Sequence, residues 1–470
     1  MSDRQPPERE VTVAGTAATV LTGQLAIYVA GFVSSVLIAR AVGAQGRGEY
    51  YLPVLAATLA VTVTSLGVES SSAVAFSERN ISLARIARLV GALALIIAPI
   101  GVALLLGSYA LFTDSAFDGV PLSSVVIVAL TIPLGLHQLW LTNVYLLAQQ
   151  LGRGQVALVT GALVQLLATS VLYAAGELRV AEVLVIYVGS LVVSWAMLLA
   201  RARQFVPVLP KLDRELARTV VSFGAKVHLG LLLSWLVLRF DVFLVSHYLG
   251  TSAVGTYSVA VIFAELGWLI TNPLQQAAFA FQAQMPLVES VQLAFKAARF
   301  NFVIAVAVSA VFAATLWLAI PLLYGDAFRP AYDALLLLMP GVIAMAFCRP
   351  VTLVLNRAIS PLLYTAIGAV AFAINAVLNV ILLPEIGIIG ASIASTAAYV
   401  LTAVIFCAWA ARIGRVPLRE LAAFSASDLE TARSALRMAM ERLTAVRPGR
   451  GRSRRSSPSD RADRGPRPPR

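Results

Sequence analysis

Residues 37–50 read LIARAVGAQGRGEY, and residues 244–257 read LVSHYLGTSAVGTY. Gly43, Gly48 and Tyr50 fall on Gly250, Gly255 and Tyr257, each 207 residues later, and Gly161 falls on Gly368 at the same offset. Both copies close a long apolar stretch. Matched residues at matched places in two hydrophobic halves mark an internal duplication, and two similar membrane-embedded lobes are a transporter's plan.

The composition agrees. Of 470 residues, 59% are hydrophobic and 13% charged, with a mean hydropathy of +0.83. A soluble domain carries about 25% charge and roughly 45–50% apolar residues, so this chain has more apolar surface than its own core can hide, and a bilayer must act as its solvent. The net charge of +12 does not point to nucleic acid, because fifteen of the Lys and Arg residues lie after Trp409. The others mostly punctuate apolar segments, as the positive-inside rule expects. Cys348 and Cys407 both sit in apolar segments, which suggests neither a disulfide framework nor a metal site. The first apolar run is too long for a signal peptide's core and reads as a retained span.

A span needs about 20 mostly apolar residues. Twelve are found. The first six are Val13–Ala39, Tyr51–Phe76, Leu89–Leu111, Pro121–Ala148, Val156–Ala175 and Ala181–Ala200. The second six are Phe223–Tyr248, Ser258–Phe281, Phe302–Leu323, Ala331–Leu355, Leu362–Leu383 and Gly390–Ala411. Ala and Leu dominate and the alternation of a barrel is absent, so the expected class is all-α. With the N-terminus in the cytoplasm, the inner segments hold fourteen Lys and Arg residues (Arg79, Arg85, Arg88, Arg153 and Arg201 among them), and the outer loops hold four: Arg40, Arg47, Arg179 and Arg329. Both termini are therefore expected in the cytoplasm. Six is an even number, so both halves enter the membrane in the same direction. The result is two parallel six-helix lobes facing a central cavity.

The expected organisation is a cytoplasmic N-terminus (1–12), an N-lobe (13–200), a cytoplasmic linker (201–222), a C-lobe (223–411), a cytoplasmic segment (412–446) and a basic tail (447–470). Pro286–Arg299 patterns as a short amphipathic helix on the membrane surface. Ser427–Val446 carries a capping box, Ser427 with Glu430, and an apolar stripe; it fits a membrane-surface helix, a partner contact or a marginal helix in solvent. The Arg-, Ser-, Pro- and Gly-rich tail is expected to be disordered and would favour an anionic leaflet.

A charge in the bilayer centre costs at least ~2.5–3.5 kcal/mol, so such groups face protein or a wet cavity. Arg239 and Asp241 lie two apart in the seventh span and point to different sides of the helix, so each should pair elsewhere. Glu265 lies in the eighth span, Glu69 in the second, His137 in the fourth, His228 in the seventh and Arg349 in the tenth. Each has a plainer role open to it: Arg40, Arg349 and Arg357 can snorkel to headgroups, His137 can bond a neighbouring helix, and Arg239 and Asp241 can form structural interhelical pairs. Pro133, Pro273, Pro340 and Pro350 lie in or near spans, where kinks suit a wall around a cavity. The repeated glycines are expected to serve tight turns.

Four phrases resemble one family. IARAVGAQGRGEYY, RFDVFLVSHYLGTSAVGTYSVA, Tyr324-Gly325-Asp326-Ala327-Phe328 followed by ALLLLMPG, and Asn375-x-x-x-Asn379 with Pro384, Gly387, Gly390 and Ala391 are similar to the polysaccharide flippases (O-antigen or Wzx type) of the multidrug/oligosaccharidyl-lipid/polysaccharide exporter superfamily. The resemblance covers about Gly15 to Arg415; the tail is outside it. It implies a flippase in the bacterial cytoplasmic membrane that moves an undecaprenyl-diphosphate-linked oligosaccharide to the outer leaflet by alternating access, with membrane lipid, a polysaccharide polymerase and glycosyltransferases as partners. The diphosphate needs cations, for which Arg239, Arg40 and Arg349 are the candidates. Glu265, Asp241 and Glu69 are candidates for ion coupling. A cation-coupled multidrug antiporter of the same superfamily is the alternative. An enzyme is not expected: the outer loops are short and hold no acid or His cluster. No G-x-x-x-x-G-K-[ST] loop occurs, so neither ATP nor another cofactor is expected to act on this chain.

Overall fold

Among the described residues, thirteen α-helices account for the twelve spans. In the computed structural model, which describes residues 13–282, 285–355 and 357–417, α1 (Val13–Ser65) carries two spans joined at Gly43, whose φ of 65° and ψ of −171° break the helix. The second span finishes in α2 (Val68–Ser77) after a break at Leu66 and Gly67. α3 (Leu83–Phe112) follows, and the fourth span is divided into α4 (Leu122–Ala129) and α5 (Thr131–Leu147). α6 (Leu151–Ala175) and α7 (Val180–Ala202) complete the N-lobe. The C-lobe contains α8 (Arg214–Leu249), α9 (Thr251–Gln282), α10 (Leu287–Tyr324), α11 (Pro330–Leu355), α12 (Pro361–Ile386) and α13 (Ile388–Gly414). No strand occurs among the described residues. The expected N-terminal segment, most of the 412–446 segment with its Ser427–Val446 helix, and the basic tail lie outside the described residues.

The duplication is visible in the packing. α1 lies on α6, where a Cβ on Gly23 would stand 2.4 Å from Cγ of Gln155. α8 lies on α12 in the equivalent way, where a Cβ on Gly230 would stand 2.9 Å from the Tyr364 ring. Gly23 and Gly230 are again 207 residues apart. Gly161 and Gly368 do not share this equivalence: Gly161 faces Ser190 and Ser194 of α7, while Gly368 faces Leu233 of α8.

Between the lobes the repeated phrase packs on itself. Gly43 and Gly250 turn the chain with φ of 65° and 79°, which glycine adopts at no steric cost. Gly48 and Gly255 do something different. A Cβ on Gly48 would stand 1.8 Å from the carbonyl oxygen of Thr251, and one on Gly255 would stand 1.9 Å from that of Ala44. Thr251 is the 207-residue counterpart of Ala44. The contact is therefore reciprocal, as in an interface across a two-fold axis. The reading of these glycines as turn formers holds for Gly43 and Gly250 alone; Gly48 and Gly255 permit backbone to touch backbone, as small residues do between membrane helices.

At this end of the bundle one apolar core crosses both lobes, including Leu52, Val125, Tyr257, Ile320 and Leu335. At the opposite end, where the linker lies, the cores separate: Val68, Ile86, Trp140 and Tyr145 belong to one cluster, and Val291, Phe295, Val351 and Phe406 to another. The lobes still touch there, since a Cβ on Gly224 would stand 2.4 Å from the Leu66 carbonyl. The linker is tied to α3 by an Arg85–Asp213 ion pair of 2.6 Å and by Lys211 N–H donating to the Arg88 carbonyl at 3.1 Å. Asp213 also caps α8 by accepting from Leu216 N–H at 3.2 Å.

Pro286–Arg299 is not a separate surface helix. It forms the first turns of α10, with Ser290, Val291, Ala294, Phe295, Ala298 and Arg299 buried. Nothing breaks the helix between Leu287 and the third span of this lobe, and its apolar stripe fits against α11 and α13 rather than against lipid.

Candidate functional site

The intramembrane charges of α8 pair with separate partners, in keeping with their spacing. Arg239 Nη2 donates to Glu265 Oε1 on α9, and Nη1 donates to the Tyr51 hydroxyl at 3.4 Å. Tyr51 belongs to α1, so the pair sits where the lobes meet. The Arg239 side chain is 21% exposed and that of Glu265 is 38% exposed, so both reach open space as well as each other. Asp241 is enclosed. It accepts from Tyr257 Oη at 2.6 Å, Ser395 Oγ at 2.9 Å and Val242 N–H at 2.9 Å. Ser395 in turn accepts from Asn375 Nδ2 at 3.2 Å, and Asn379 donates to Asn375. This polar chain joins α8, α9, α12 and α13. Each link satisfies a buried group that would otherwise cost ~1–3 kcal/mol.

The remaining candidates lie apart. Arg40 donates to the carbonyls of Leu322 and Leu323, the former a very short contact and the latter at 2.8 Å, and so fastens α1 to the end of α10. Glu69 lies in the first turn of α2, where its backbone carbonyl accepts from Asn143 Nδ2 at 2.9 Å and its Oε2 is buried without a hydrogen-bond partner. His137 accepts from Trp195 Nε1 at 3.1 Å, the interhelical bond open to it from sequence.

Arg349 lines a cavity of about 270 Å³ in the linker half of the C-lobe. Around it stand Ser234, Thr352, Tyr364, Tyr399 and Thr402, with Met345 and Phe406 on the apolar side. Ser234 Oγ donates to Tyr364 Oη at 3.4 Å. Four helices, α8, α11, α12 and α13, each supply part of this wall. The lining sets one guanidinium among hydroxyls and phenols, donors of the kind from which oxygen-rich anions accept hydrogen bonds. Tyr399 and Leu238 also line a smaller pocket that holds Asp241 and Glu265, so the cavity adjoins the polar centre of α8.

Three participants escaped the sequence reading. Tyr51 begins the second span and gave no signal beyond its aromaticity. Tyr257 was part of the repeated phrase, yet nothing marked it as the ligand of Asp241. Arg47 was counted in an outer loop, but it is 2% exposed. Its Nε donates to Ser258 Oγ at 2.8 Å, its Nη1 and Nη2 donate to Ser35, and it lies 5.6 Å from the Tyr324 ring centroid. A single arginine between two apolar spans cannot be told from a loop residue until the partner lobe is in place. Among the described residues no group of His, Cys, Asp and Glu could hold a metal ion.

A helical bundle of twelve spans, with a parallel duplication and polar groups gathered at the lobe interface, is a multi-pass membrane protein with the fold of the exporter superfamily. Its fold is similar to that of the lipid II flippase MurJ in an inward closed conformation (TM-score 0.68, 12% identity, 92% of this chain and 93% of that one). It is also similar to a multidrug resistance MATE family transporter of the MOP superfamily in an inward-facing conformation (TM-score 0.57, 17% identity, 84% and 94%). A third similar structure is a MOP superfamily transporter from Pyrococcus furiosus (TM-score 0.59, 12% identity, 84% and 94%). No curated protein sequence is significantly similar to the chain. Residues 13–284, more than half of the chain, match the family described as polysaccharide biosynthesis protein. The chain belongs to that family.

Proposed function

We propose that this protein is a flippase that carries a lipid-linked oligosaccharide, an undecaprenyl-diphosphate-linked repeat unit, from the cytoplasmic to the outer leaflet of the bacterial cytoplasmic membrane, both its termini being cytoplasmic. The observation that carries the reading is the Arg349 cavity. In the proposed orientation it lies in the cytoplasmic half, where the substrate would be collected. Its hydroxyls match a sugar and its guanidinium matches a diphosphate, neither of which crosses hydrocarbon cheaply. Arg239 is the second cation on the path. An arriving diphosphate would compete with Glu265 for it and release that carboxylate to take up a proton or another ion. Glu265 thereby becomes the foremost coupling candidate, with Glu69 second. Asp241 keeps its place as a coupling candidate only if its cage of Tyr257 and Ser395 opens in another state. Arg40 would reach the substrate only after its bonds to Leu322 and Leu323 break. Rocking of the lobes about the reciprocal glycine contact would expose the path to each side in turn. Glycosyltransferases would supply the unit and a polymerase would consume it.

A multidrug antiporter is the second reading, favoured by the intramembrane carboxylates Glu265 and Asp241. Reconstitution of the full chain in proteoliposomes separates the two. The flippase reading expects leaflet exchange of a fluorescent polyprenyl-diphosphate sugar, reduced at least tenfold by Arg349→Ala and partly restored by Arg349→Lys. Transport of a lipophilic cation down an ion gradient, unaffected by Arg349→Ala, would overturn it.

A further inference from the structure

The two seams between the lobes are counterparts in sequence but are filled differently. On one seam, Phe32 of α1, Phe263 of α9, and Phe312 and Tyr324 of α10 form an aromatic plug. Ring centroids lie 5.8 Å apart for Phe32 and Phe263, 6.0 Å for Phe263 and Phe312, and 6.1 Å for Phe263 and Tyr324. Arg40 closes this plug by its bonds to Leu322 and Leu323.

The 207-residue offset that the reciprocal glycines obey gives the counterpart of each residue on the other seam. Arg239 stands for Phe32, Ala56 for Phe263, Leu105 for Phe312 and Phe117 for Tyr324; Ser115 and Ala116 stand for Leu322 and Leu323, and His247 stands for Arg40. All of these but Arg239 line one cavity of about 510 Å³ between α1, α3 and α8. The duplication thus places a plug on one seam and a slot on the other, because three phenylalanines are replaced by arginine, alanine and leucine. The rest of the slot wall is almost wholly apolar, with Leu59, Val63, Leu104, Phe112 and Phe243 prominent. Its size is that of a small-molecule site. At the linker end, the Gly67–Gly224 approach closes the same seam, so the slot is a bounded site rather than an open crack. Phe240, which lines it, directly follows Arg239 of the polar centre.

The geometry points to this slot as the binding site for the isoprenoid chain of the carried lipid. This rests on the flippase reading. The slot wall is apolar apart from Ser108, Ser115 and His247 and holds no Lys or Arg, so a diphosphate head group has no counterpart there. A chain lying in it would leave its diphosphate near Arg239, one residue from the wall. His247 and the hydroxyl of Ser115 mark the end of the slot that faces away from the linker.

The test uses the full chain in proteoliposomes and a polyprenyl diphosphate carrying a diazirine in its chain. The expected result is photolabelling of peptides from 104–117 and 240–247, displaced by excess polyprenyl phosphate but not by excess phosphatidylglycerol. Ala56→Phe with Leu105→Phe, which installs the aromatic pair of the other seam, should lower that labelling at least tenfold while the protein stays monodisperse. If phosphatidylglycerol displaces the label as well, the slot holds bulk bilayer lipid and the proposal is wrong. It is also wrong if the label maps elsewhere, a result that needs no variant to fold. Exchange of the lipid by the parent protein with labelling outside the slot sinks the slot alone. Absence of any binding or exchange by the parent sinks the flippase reading itself.

Discussion

Giving Gly255 a methyl group would force the lobes apart at one defined point. The new carbon would stand 1.9 Å from the Ala44 carbonyl oxygen, and real Cβ atoms essentially never approach a heavy atom closer than 3.0 Å. The helices must separate by about 1.1 Å, the difference between those two distances. The obstructing atom is backbone, so no rotamer change can relieve it. Overpacking of this kind costs ~1–3 kcal/mol. Under the proposed alternating access the contact exists only while this end of the bundle is closed, so the cost would fall on that state alone and shift the equilibrium roughly 5–150-fold towards opening. Gly48→Ala, at 1.8 Å from the Thr251 carbonyl, should act in the same way. Because one separation relieves both clashes, the double variant should cost little more than either single one, a clear departure from additivity. The assay is the rate at which a short thiol cross-linker joins Gln45→Cys to Thr251→Cys, since Gln45 Nε2 and Thr251 Oγ1 are 2.6 Å apart in the closed seam. Cys348 and Cys407 are replaced by alanine in the background. Gly31→Ala serves as the control, because nothing lies within 4 Å of its added carbon. Equal cross-linking rates in Gly255→Ala, Gly48→Ala and Gly31→Ala would refute the closure argument.

Glu265→Gln removes the carboxylate that holds Arg239; a charge-assisted hydrogen bond is worth ~1.5–3 kcal/mol, so polyprenyl diphosphate should bind roughly ten- to a hundredfold more tightly by microscale thermophoresis, and unchanged affinity would show that the two do not compete. Asp241→Ala strands the hydroxyls of Tyr257 and Ser395 and should lower stability by ~2–4 kcal/mol, read as an earlier thermal unfolding in detergent; an unmoved transition would mean that the polar chain does not support the C-lobe. On the linker, the Arg85 guanidinium and the Leu216 N–H hold the Asp213 carboxyl below its ordinary range. A carboxyl depressed on folding stabilises above its unfolded pKa, about 3.9, and loses that contribution as the pH falls through the lower folded value. The 203–213 connection should therefore resist proteolysis at neutral pH and become cleavable by an acid protease once the pH has fallen below the ordinary carboxylate range, whereas Asp213→Asn should be cleavable at both.

The twelve spans were legible because transfer of side chains into hydrocarbon is nearly additive along the chain, so a run such as Leu89–Leu111 declares itself without its neighbours. The separate partners of Arg239 and Asp241 followed from helix geometry, since residues two apart point to different sides. Which partners they took did not follow. Glu265 and Ser395 lie 26 and 154 residues from them, and no local pattern selects one distant group over another. Pro286–Arg299 failed for the same reason: an apolar stripe looks alike whether it will meet lipid or α11 and α13.

By itself the sequence determined the helical class, the number of spans and the duplication, because hydropathy and an offset of 207 residues are one-dimensional properties. Tertiary structure alone decided what the duplication is used for. It brought Gly48 and Gly255 onto the carbonyls of the opposite copy, drew Arg47 from an apparent loop into the seam, set Arg349 among hydroxyls from four helices, and left a slot where Ala56 and Leu105 replace two phenylalanines. Close approach, burial and empty volume are relations between distant residues, and they come into being only when the two lobes pack.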